Sequence, residues 1–185
     1  ALIAQINQLQ KRPLAWRYIH LQNRIDKMIT KNNVIELLKS LELPSYIINL
    51  YLTNERHPQL KYSMGVPEEF FSLTDEEQKS YGNNAIPIWD NGDFGYVTFY
   101  DTRRNGFVRI DVELEETVDD LPVCSYQQII VYDLYFIWDC EHDIDILKDV
   151  SDTLGFQYIK QMMEVVQSES YNPDTFVESF QNVIN

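Results

Sequence analysis

The stretch that decides the fold is Ile86-Pro-Ile-Trp-Asp-Asn-Gly-Asp-Phe-Gly-Tyr-Val-Thr-Phe-Tyr-Asp101, which is followed by Gly106-Phe-Val-Arg-Ile-Asp111. Residues 86–89 predict a short strand, and the side chains along 96–101 and 107–112 alternate with the two-residue period of strands. The pair Asn91-Gly92 predicts a turn at 90–93, because both residues readily adopt positive φ. Short turns at 90–93 and 102–106 join these segments, so the sequence predicts an antiparallel sheet.

Upstream of the sheet, the chain up to about residue 54 has the apolar spacing of three to four residues that is typical of helices. The first predicted helix carries Leu14, Tyr18, Leu21, Ile25 and Met28/Ile29, the second carries Val34, Leu37, Leu38 and Leu41, and a third begins at Pro44. Closer to the sheet, Thr74 and Glu77 have the spacing of a capping box, which predicts another helix start.

Downstream of the sheet, Ser125 and Gln128 also have the capping-box spacing. The segment Ile129–Trp138 is rich in β-branched and aromatic residues, but its length and its cap favour a helix over a strand. A helix is predicted from 144 to 167 with an interruption near Gly155, and a last one begins at Pro173. The sequence therefore predicts an α+β fold: one domain, 1–185, with a helical N-terminal part (1–60), an antiparallel sheet core (61–120) and a helical C-terminal part (121–185).

Charge is distributed unevenly along the chain. Residues 1–61 carry nine Lys/Arg and four Asp/Glu, a net charge of +5, whereas residues 62–185 carry six and 25, a net charge of −19. Repulsion on this scale opposes compaction, and a cationic partner would relieve it. The total of −14 disfavours binding to nucleic acid, which needs a cationic footprint, and to an anionic membrane surface.

The sequence also predicts a cytoplasmic protein. No run of 18 apolar residues is present, and the first residues are too short and too polar a stretch for a signal peptide. The two cysteines, Cys124 and Cys140, are expected to be reduced and packed in the core.

The best candidate for chemistry is Asp139-Cys-Glu-His-Asp143, which holds five potential metal ligands in five residues. Neighbouring residues on one helix diverge, however, so a solvated helix end is favoured over a metal site. The turn at 90–93 lacks the glycine position and the distant Glu of a calcium loop, and no Gly-x-Ser-x-Gly elbow is present. We therefore expect no cofactor and no catalytic residue, with a metal-dependent hydrolase using Asp139–Asp143 as the alternative.

The densest acidic cluster follows the last predicted strand. Together with the two acids of the preceding turn, it supplies the predicted partner-binding residues: Asp90, Asp93, Glu113, Glu115, Glu116, Asp119 and Asp120. The ordinary interpretation of such a run is a solubilising loop, and the alternative is a recognition surface for a basic protein. Nearby aromatic residues that would anchor such a partner inside a charged rim are Tyr96, Tyr100, Phe107 and Tyr126.

The order of motifs around the sheet resembles the SUKH superfamily, which includes bacterial toxin-immunity proteins and fungal cell-wall regulators. Ahead of the sheet, Val66-Pro-Glu-Glu-Phe-Phe71 begins a short helix. The Pro-Glu helix, the Ile-Pro-Ile-like strand, the Gly-Asp turn and the strand ending in Asp of that superfamily correspond here to Pro67-Glu68, Ile86–Trp89, Gly92-Asp93 and Tyr96–Asp101. The resemblance covers about residues 60–115, and Tyr81-Gly82 only partly matches the helix end that usually precedes the sheet.

This resemblance implies an α+β fold, no cofactor and a non-catalytic role in which the protein binds a toxin domain and blocks it. Many toxins countered by such proteins are basic nucleases, which fits the acidic surface. The leading hypothesis is therefore an immunity protein that neutralises a basic toxin domain. A regulatory scaffold that binds proteins without inhibiting them is the other alternative to the hydrolase.

Overall fold

The computed structural model describes residues 28–53 and 56–184. Its regular elements are α1 (Lys31–Ser40), α2 (Ser45–Leu52), α3 (Asp75–Ser80), β1 (Ala85–Asp90), β2 (Tyr96–Asp101), β3 (Gly106–Asp111), α4 (Tyr126–Ile129), α5 (Val131–Glu141), α6 (Ile144–Thr153), α7 (Ile159–Val166) and α8 (Phe176–Val183). Helices thus precede and follow a small sheet, which confirms the predicted α+β fold. The predicted helix with the stripe from Leu14 to Ile25 lies outside the described residues.

The three strands form one antiparallel sheet in the order β1-β2-β3. Strands β2 and β3 pair without interruption from Tyr96 opposite Asp111 to Asp101 opposite Gly106. The short turns predicted from the sequence join both pairs of strands. Both turns contain residues with positive φ, at Gly92 (89°) and Phe94 (61°) in the first and at Asn105 (58°) in the second. The predicted sheet and its strand direction are confirmed.

Both faces of the sheet are buried. Val97, Phe99, Val108 and Ile110 belong to a small apolar cluster with Phe70 on one face. On the other face, a larger core includes residues of β1, β2 and β3 together with residues of α1, α2 and α5–α8. This larger core links the helices before the sheet to those after it. Because side chains alternate along a strand, Arg109 and Asp111 continue the second face towards the end of β3.

A β-bulge interrupts the pairing of β1 with β2. Pro87 lies opposite Phe99 and Trp89 lies opposite Thr98, so Ile88 is the extra residue. Ile88 and Trp89 both belong to the larger core, although alternation without a bulge would send neighbours to opposite faces. The bulge therefore turns the indole of Trp89 towards the C-terminal helices.

The helix starts predicted from capping boxes are correct. The side chains of Thr74 and Ser125 accept hydrogen bonds from the backbone N–H groups of Glu77 and Gln128. In turn, the side chains of Glu77 and Gln128 accept hydrogen bonds from the backbone N–H groups of Thr74 and Ser125. The segment 129–138 is helical, as predicted, and is divided at Ile130 between α4 and α5. Burial of its apolar face outweighs the β propensity of its residues.

Two further helical predictions have different outcomes. The interruption near Gly155 is confirmed, because α6 ends at Thr153 and Gly155 has a φ of +62°. A Cβ at this position would lie 3.0 Å from Pro44 Cγ, so glycine fits both the backbone and the space. The helix expected to begin in Val66–Phe71 is reduced to a 3-10 turn at Phe70–Ser72.

None of the helices in residues 28–53 and 56–184 has the length and apolar composition that crossing a bilayer requires.

Candidate functional site

The site begins with an ion pair between the sheet and α5. Arg109 lies on β3 opposite Thr98, and its Nη1 donates a hydrogen bond of 3.3 Å to Asp133 Oδ1 on α5. The Asp133 side chain is fully buried, and that of Arg109 is 15% exposed. The guanidinium of Arg109 is therefore paired with Asp133 on its buried side, while part of the Arg109 side chain remains exposed to solvent.

Two tyrosine rings enclose the guanidinium of Arg109. Its Cζ lies 5.3 Å from the ring centre of Tyr96, on β2, and 5.2 Å from that of Tyr132, on α5. At these distances a guanidinium is attracted to the face of an aromatic ring. Arg109 thus holds together one aromatic side chain from the sheet and one from the helix.

Asp133 is incompletely paired beneath Arg109. Burial raises the pKa of Asp133 to about 6, although Arg109 and the indole of Trp89 favour its charged form. Within the described part of the chain, neither Asp133 Oδ2 nor Trp89 Nε1 has a hydrogen-bond partner of normal geometry. Buried polar atoms without good partners are uncommon and are expensive to maintain.

Next to this ion pair lies an open groove of about 450 Å³ between α5 and the end of the sheet where β2 begins and β3 ends. Four of its lining side chains are large, apolar or aromatic, and exposed: Tyr96 (46%), Leu114 (65%), Tyr132 (37%) and Phe136 (42%). These four are among ten such exposed side chains in residues 28–53 and 56–184, and all four meet in this groove. Clustered apolar surface of this kind marks interaction sites.

Carboxylates form the rim of the groove. Asp111 at the end of β3, Glu116 in the following loop and Asp139 on α5 all contribute to its lining. Asp111 Oδ1 accepts a hydrogen bond of 3.0 Å from the Glu113 N–H, which starts the loop as a 3-10 turn. The loop that presents Glu116 is therefore anchored to the strand that presents Arg109.

The predicted partner-binding residues are distributed over several places. Glu113, Glu115 and Glu116 lie in the loop beside the groove, Glu113 and Glu115 being exposed. Asp119 pairs with Arg103 at 2.7 Å and Asp120 accepts a hydrogen bond from Thr117, at the other end of β3.

The two acids of the first turn also differ. Asp90 is only 4% exposed and accepts a hydrogen bond of 3.0 Å from the Gly92 N–H, so its role is to form the turn. Burial raises the pKa of Asp90 to about 6. Asp93 is exposed and accepts a hydrogen bond from the Gly95 N–H. The sequence predicted these seven acids as one partner-binding set, whereas among the described residues Glu116 is the one of the seven that lines the groove, with Glu113 and Glu115 exposed in the same loop.

The aromatic anchors need a similar correction. Of the four predicted residues only Tyr96 lines the groove. Tyr100 and Phe107 are buried at 2% and 4% exposure, and the hydroxyl of the half-buried Tyr126 donates to the Leu154 carbonyl at 2.9 Å.

The segment Asp139–Asp143 does not form a cluster. Asp139 faces the groove, and Asp143 caps α6 by accepting hydrogen bonds from the backbone N–H groups of Asp145 and Ile146. No group of three His, Cys, Asp or Glu side chains converges anywhere in the described residues. Cys140 is exposed, which contradicts the expectation that it packs in the core, and Cys124 is half-buried, with its thiol pKa raised by burial.

Four central residues were missed from the sequence: Arg109, Tyr132, Asp133 and Phe136. Two signals were available. Arg109 is a cation at an inward position of an apolar strand, and Asp133 is an acid within an apolar helix. Ionised side chains at such positions are seldom buried without a partner.

Comparison of the chain with protein-family models, with curated proteins and with solved structures found no match.

Proposed function

We propose that this chain is a non-catalytic protein-binding module of the immunity type, which neutralises a basic toxin domain in the cytoplasm, as SUKH-type proteins do. The observation that carries this proposal is the groove. Four exposed apolar or aromatic side chains meet there above a buried ion pair and inside a rim of carboxylates.

This arrangement has the anatomy of a protein interface. Binding energy at interfaces is concentrated in a few aromatic or apolar anchors, which a polar rim shields from water. Phe136 and Leu114 are the anchors that the fold does not need, since 42% and 65% of their surfaces remain exposed. The net charge of −19 over residues 62–185 would attract a basic protein and accelerate its encounter.

The proposal is tested with the protein encoded beside this gene, because immunity genes commonly neighbour their toxin genes. Cells that express its toxin domain are expected to grow when they also express this chain. The double variant Leu114→Ala/Phe136→Ala is expected to bind the toxin domain about 100-fold more weakly and to restore toxicity, since two anchors are truncated. Isothermal titration calorimetry gives the affinities.

The matched control is Leu52→Ala/Val183→Ala, which truncates two side chains that are 53% and 71% exposed outside the groove. We expect this variant to neutralise the toxin as the wild type does. Equal affinity of both double variants for the toxin domain would refute the groove as the binding site. Binding that leaves toxicity unchanged would refute neutralisation and assign the chain to the scaffold class.

A further inference from the structure

The rim of the groove carries negative charge that no salt bridge offsets in the part of the chain that the structure describes. Asp111, Glu116 and Asp139 line the groove, and none of them forms a salt bridge within the described residues. Arg109 is the one base that the described residues contribute to the lining, and its charge is already paired with Asp133. A ligand for this groove therefore needs positive charge, and an anionic ligand is disfavoured.

The walls of the groove favour a flat cation. Three aromatic residues of α5, Tyr132, Tyr135 and Phe136, contribute to the lining. One of them, Tyr132, already stacks on a guanidinium, that of Arg109, at 5.2 Å. A guanidinium stacks on rings and donates paired hydrogen bonds to carboxylates, whereas the ammonium of lysine is a more strongly hydrated point charge.

We infer that the groove receives an arginine side chain of the partner protein, which stacks on Phe136 and pairs with Asp139 and Glu116. This inference rests on the proposed function and names the partner's anchor. The groove volume of about 450 Å³ exceeds that of one arginine side chain, and leaves room for an apolar neighbour against Leu114. In this arrangement Arg109 is a positioning residue, because it holds Tyr96 and Tyr132 in the wall.

The experiment uses the full-length chain and defined peptides. The probe is the acetylated and amidated peptide Ala-Leu-Arg-Leu-Ala, compared with peptides in which citrulline or lysine replaces arginine. Citrulline keeps the shape of arginine and removes its charge. Nuclear magnetic resonance titrations follow the amide signals of Tyr96, Tyr132 and Phe136.

We expect saturable shifts of these signals with the arginine peptide, and binding about fivefold to tenfold weaker with citrulline because the carboxylates lose their cation. The variant Glu116→Gln/Asp139→Asn is expected to lose the same factor. The control Asp119→Asn/Asp120→Asn, which removes two acids near the other end of β3, is expected to bind as the wild type does.

Besides a failure of the arginine peptide to bind, three outcomes would overturn the inference. Equal affinity for the arginine and citrulline peptides would remove the role of charge, and equal affinity for lysine would remove the preference for a guanidinium. Concentration-dependent dimers in sedimentation velocity that dissociate in Leu114→Ala/Phe136→Ala would assign the groove to a second copy of the chain.

These assays need no toxin, so they separate the two proposals. If the peptide fails to bind but the groove variant still abolishes neutralisation, the proposed function stands and the arginine anchor is wrong. If the arginine peptide binds as expected but the chain never neutralises the neighbouring toxin, the anchor stands and the proposed function is wrong.

Discussion

The two ends of β3 each hold a fully buried aspartate against an arginine, and the two pairs are built differently. At the start of the strand, Asp101 accepts hydrogen bonds from the backbone N–H groups of Arg103 (2.8 Å) and Arg104 (3.1 Å) and from the Arg104 guanidinium. At the other end, Asp133 has one hydrogen bond of 3.3 Å from Arg109, and its second oxygen is unpaired in the described residues.

The remaining donors of the two arginines differ as well. Arg104 donates to the carbonyls of Val118 and Leu121, at 2.7 Å to the latter, and so fastens the loop that follows β3. We call Asp101, Arg104 and these two carbonyls the latch. Arg109 instead presents its faces to Tyr96 and Tyr132, which are exposed to solvent. The latch is a closed structural unit, and the Arg109 pair supports a surface.

The two carboxylates respond to their surroundings in opposite ways. Burial alone would raise the pKa of Asp101, but the hydrogen bonds from Arg104 and from two backbone N–H groups outweigh it and lower the pKa. Burial raises the pKa of Asp133 to about 6 in spite of Arg109. Similar residue pairs therefore stabilise the fold at one end and are tolerated at the other, where the proposed function offers a reason for the tolerance.

Removal of the latch is expected to have the largest effect. Asp101→Ala leaves the Arg104 guanidinium and two backbone N–H groups without their acceptor, so we expect the free energy of unfolding to fall by about 3–5 kcal/mol. Urea denaturation followed by circular dichroism measures this change. The control is Asp119→Asn, which breaks only the exposed pair with Arg103 and is expected to change stability by less than about 0.5 kcal/mol. Comparable losses in both variants would remove the distinction between buried latch and surface pair.

Substitution of Asp133 by asparagine is expected to change how the free energy of unfolding depends on pH. The folded pKa of about 6 lies above the unfolded value of 3.8, so the folded state binds the proton more tightly and its stability rises as the pH falls through 6. Between pH 7 and pH 5 this carboxyl should add about 1 kcal/mol to the free energy of unfolding of the wild type.

Asp133→Asn has no proton to bind and is expected to lack that gain. Asp90 titrates in the same range in both proteins, beside Arg56 and Asp93, and so cancels in the comparison. Urea denaturation of both proteins at pH 7, 6 and 5 gives the two slopes. Parallel slopes would show that folded Asp133 does not bind its proton between pH 7 and pH 5, which would contradict a folded pKa of about 6.

The latch and the groove also differ in how far the sequence could foresee them. The strands, the capping boxes at Thr74 and Ser125 and the helix over 129–138 follow from local patterns and were predicted correctly. The latch lies within the span from Asp101 to Leu121, in which β3 separates the turn that carries Arg104 from the loop that carries Val118 and Leu121. The sequence analysis assigned Asp101 to a strand and Arg104 to a turn, because nothing local indicates that Arg104 reaches the carbonyls of Val118 and Leu121.

The groove depends on contacts between distant parts of the chain. Arg109 and Asp133 are 24 residues apart, and the bulge at Ile88 that turns Trp89 towards Asp133 was not predicted, although Pro87 is a residue type that strands confine to edges and bulges. The charge surplus predicted an acidic surface. The alternation of side chains along the strands could not show which acids lie together on that surface, because both faces of the sheet are buried. Of the residues predicted to bind a partner, Glu116 and Tyr96 line the groove, and Asp139, predicted as part of a metal-ligand candidate, lines it as well.

Substitution of lysine for Arg109 or for Arg104 distinguishes the contribution of each arginine to binding from its contribution to stability. Arg109→Lys keeps the charge opposite Asp133 and removes the flat surface between Tyr96 and Tyr132. We expect about 1 kcal/mol or less of lost stability and about tenfold weaker binding of the toxin domain, because the two rings lose their common support.

Arg104→Lys is the matched variant at the latch. It loses the hydrogen bonds to Val118 and Leu121, so we expect about 2 kcal/mol of lost stability with unchanged affinity of the folded protein. Denaturation and calorimetry on both variants give a two-by-two comparison. A reversed pattern, with affinity lost at Arg104 and stability lost at Arg109, would exchange the roles of the two ends.

The smallest expected effect concerns single rim charges. Glu116 lines the groove without a salt bridge in the described residues, whereas the charge of Asp119 is offset by Arg103 at 2.7 Å. We expect Glu116→Gln to slow association with the basic toxin domain about twofold to threefold at low ionic strength, and to have no effect at about 0.5 M salt, where charges are screened within a few ångströms.

Asp119→Asn removes the same formal charge from the same loop and serves as the control in stopped-flow measurements. Because Asp119 pairs with Arg103 near the other end of β3 and does not line the groove among the described residues, we expect its association rate to match that of the wild type within error. Equal slowing by both variants would mean that the partner responds to the total charge of residues 62–185 and not to the rim of the groove. The acidic surplus would then act at long range only, and the difference between the two ends of β3 would concern stability alone.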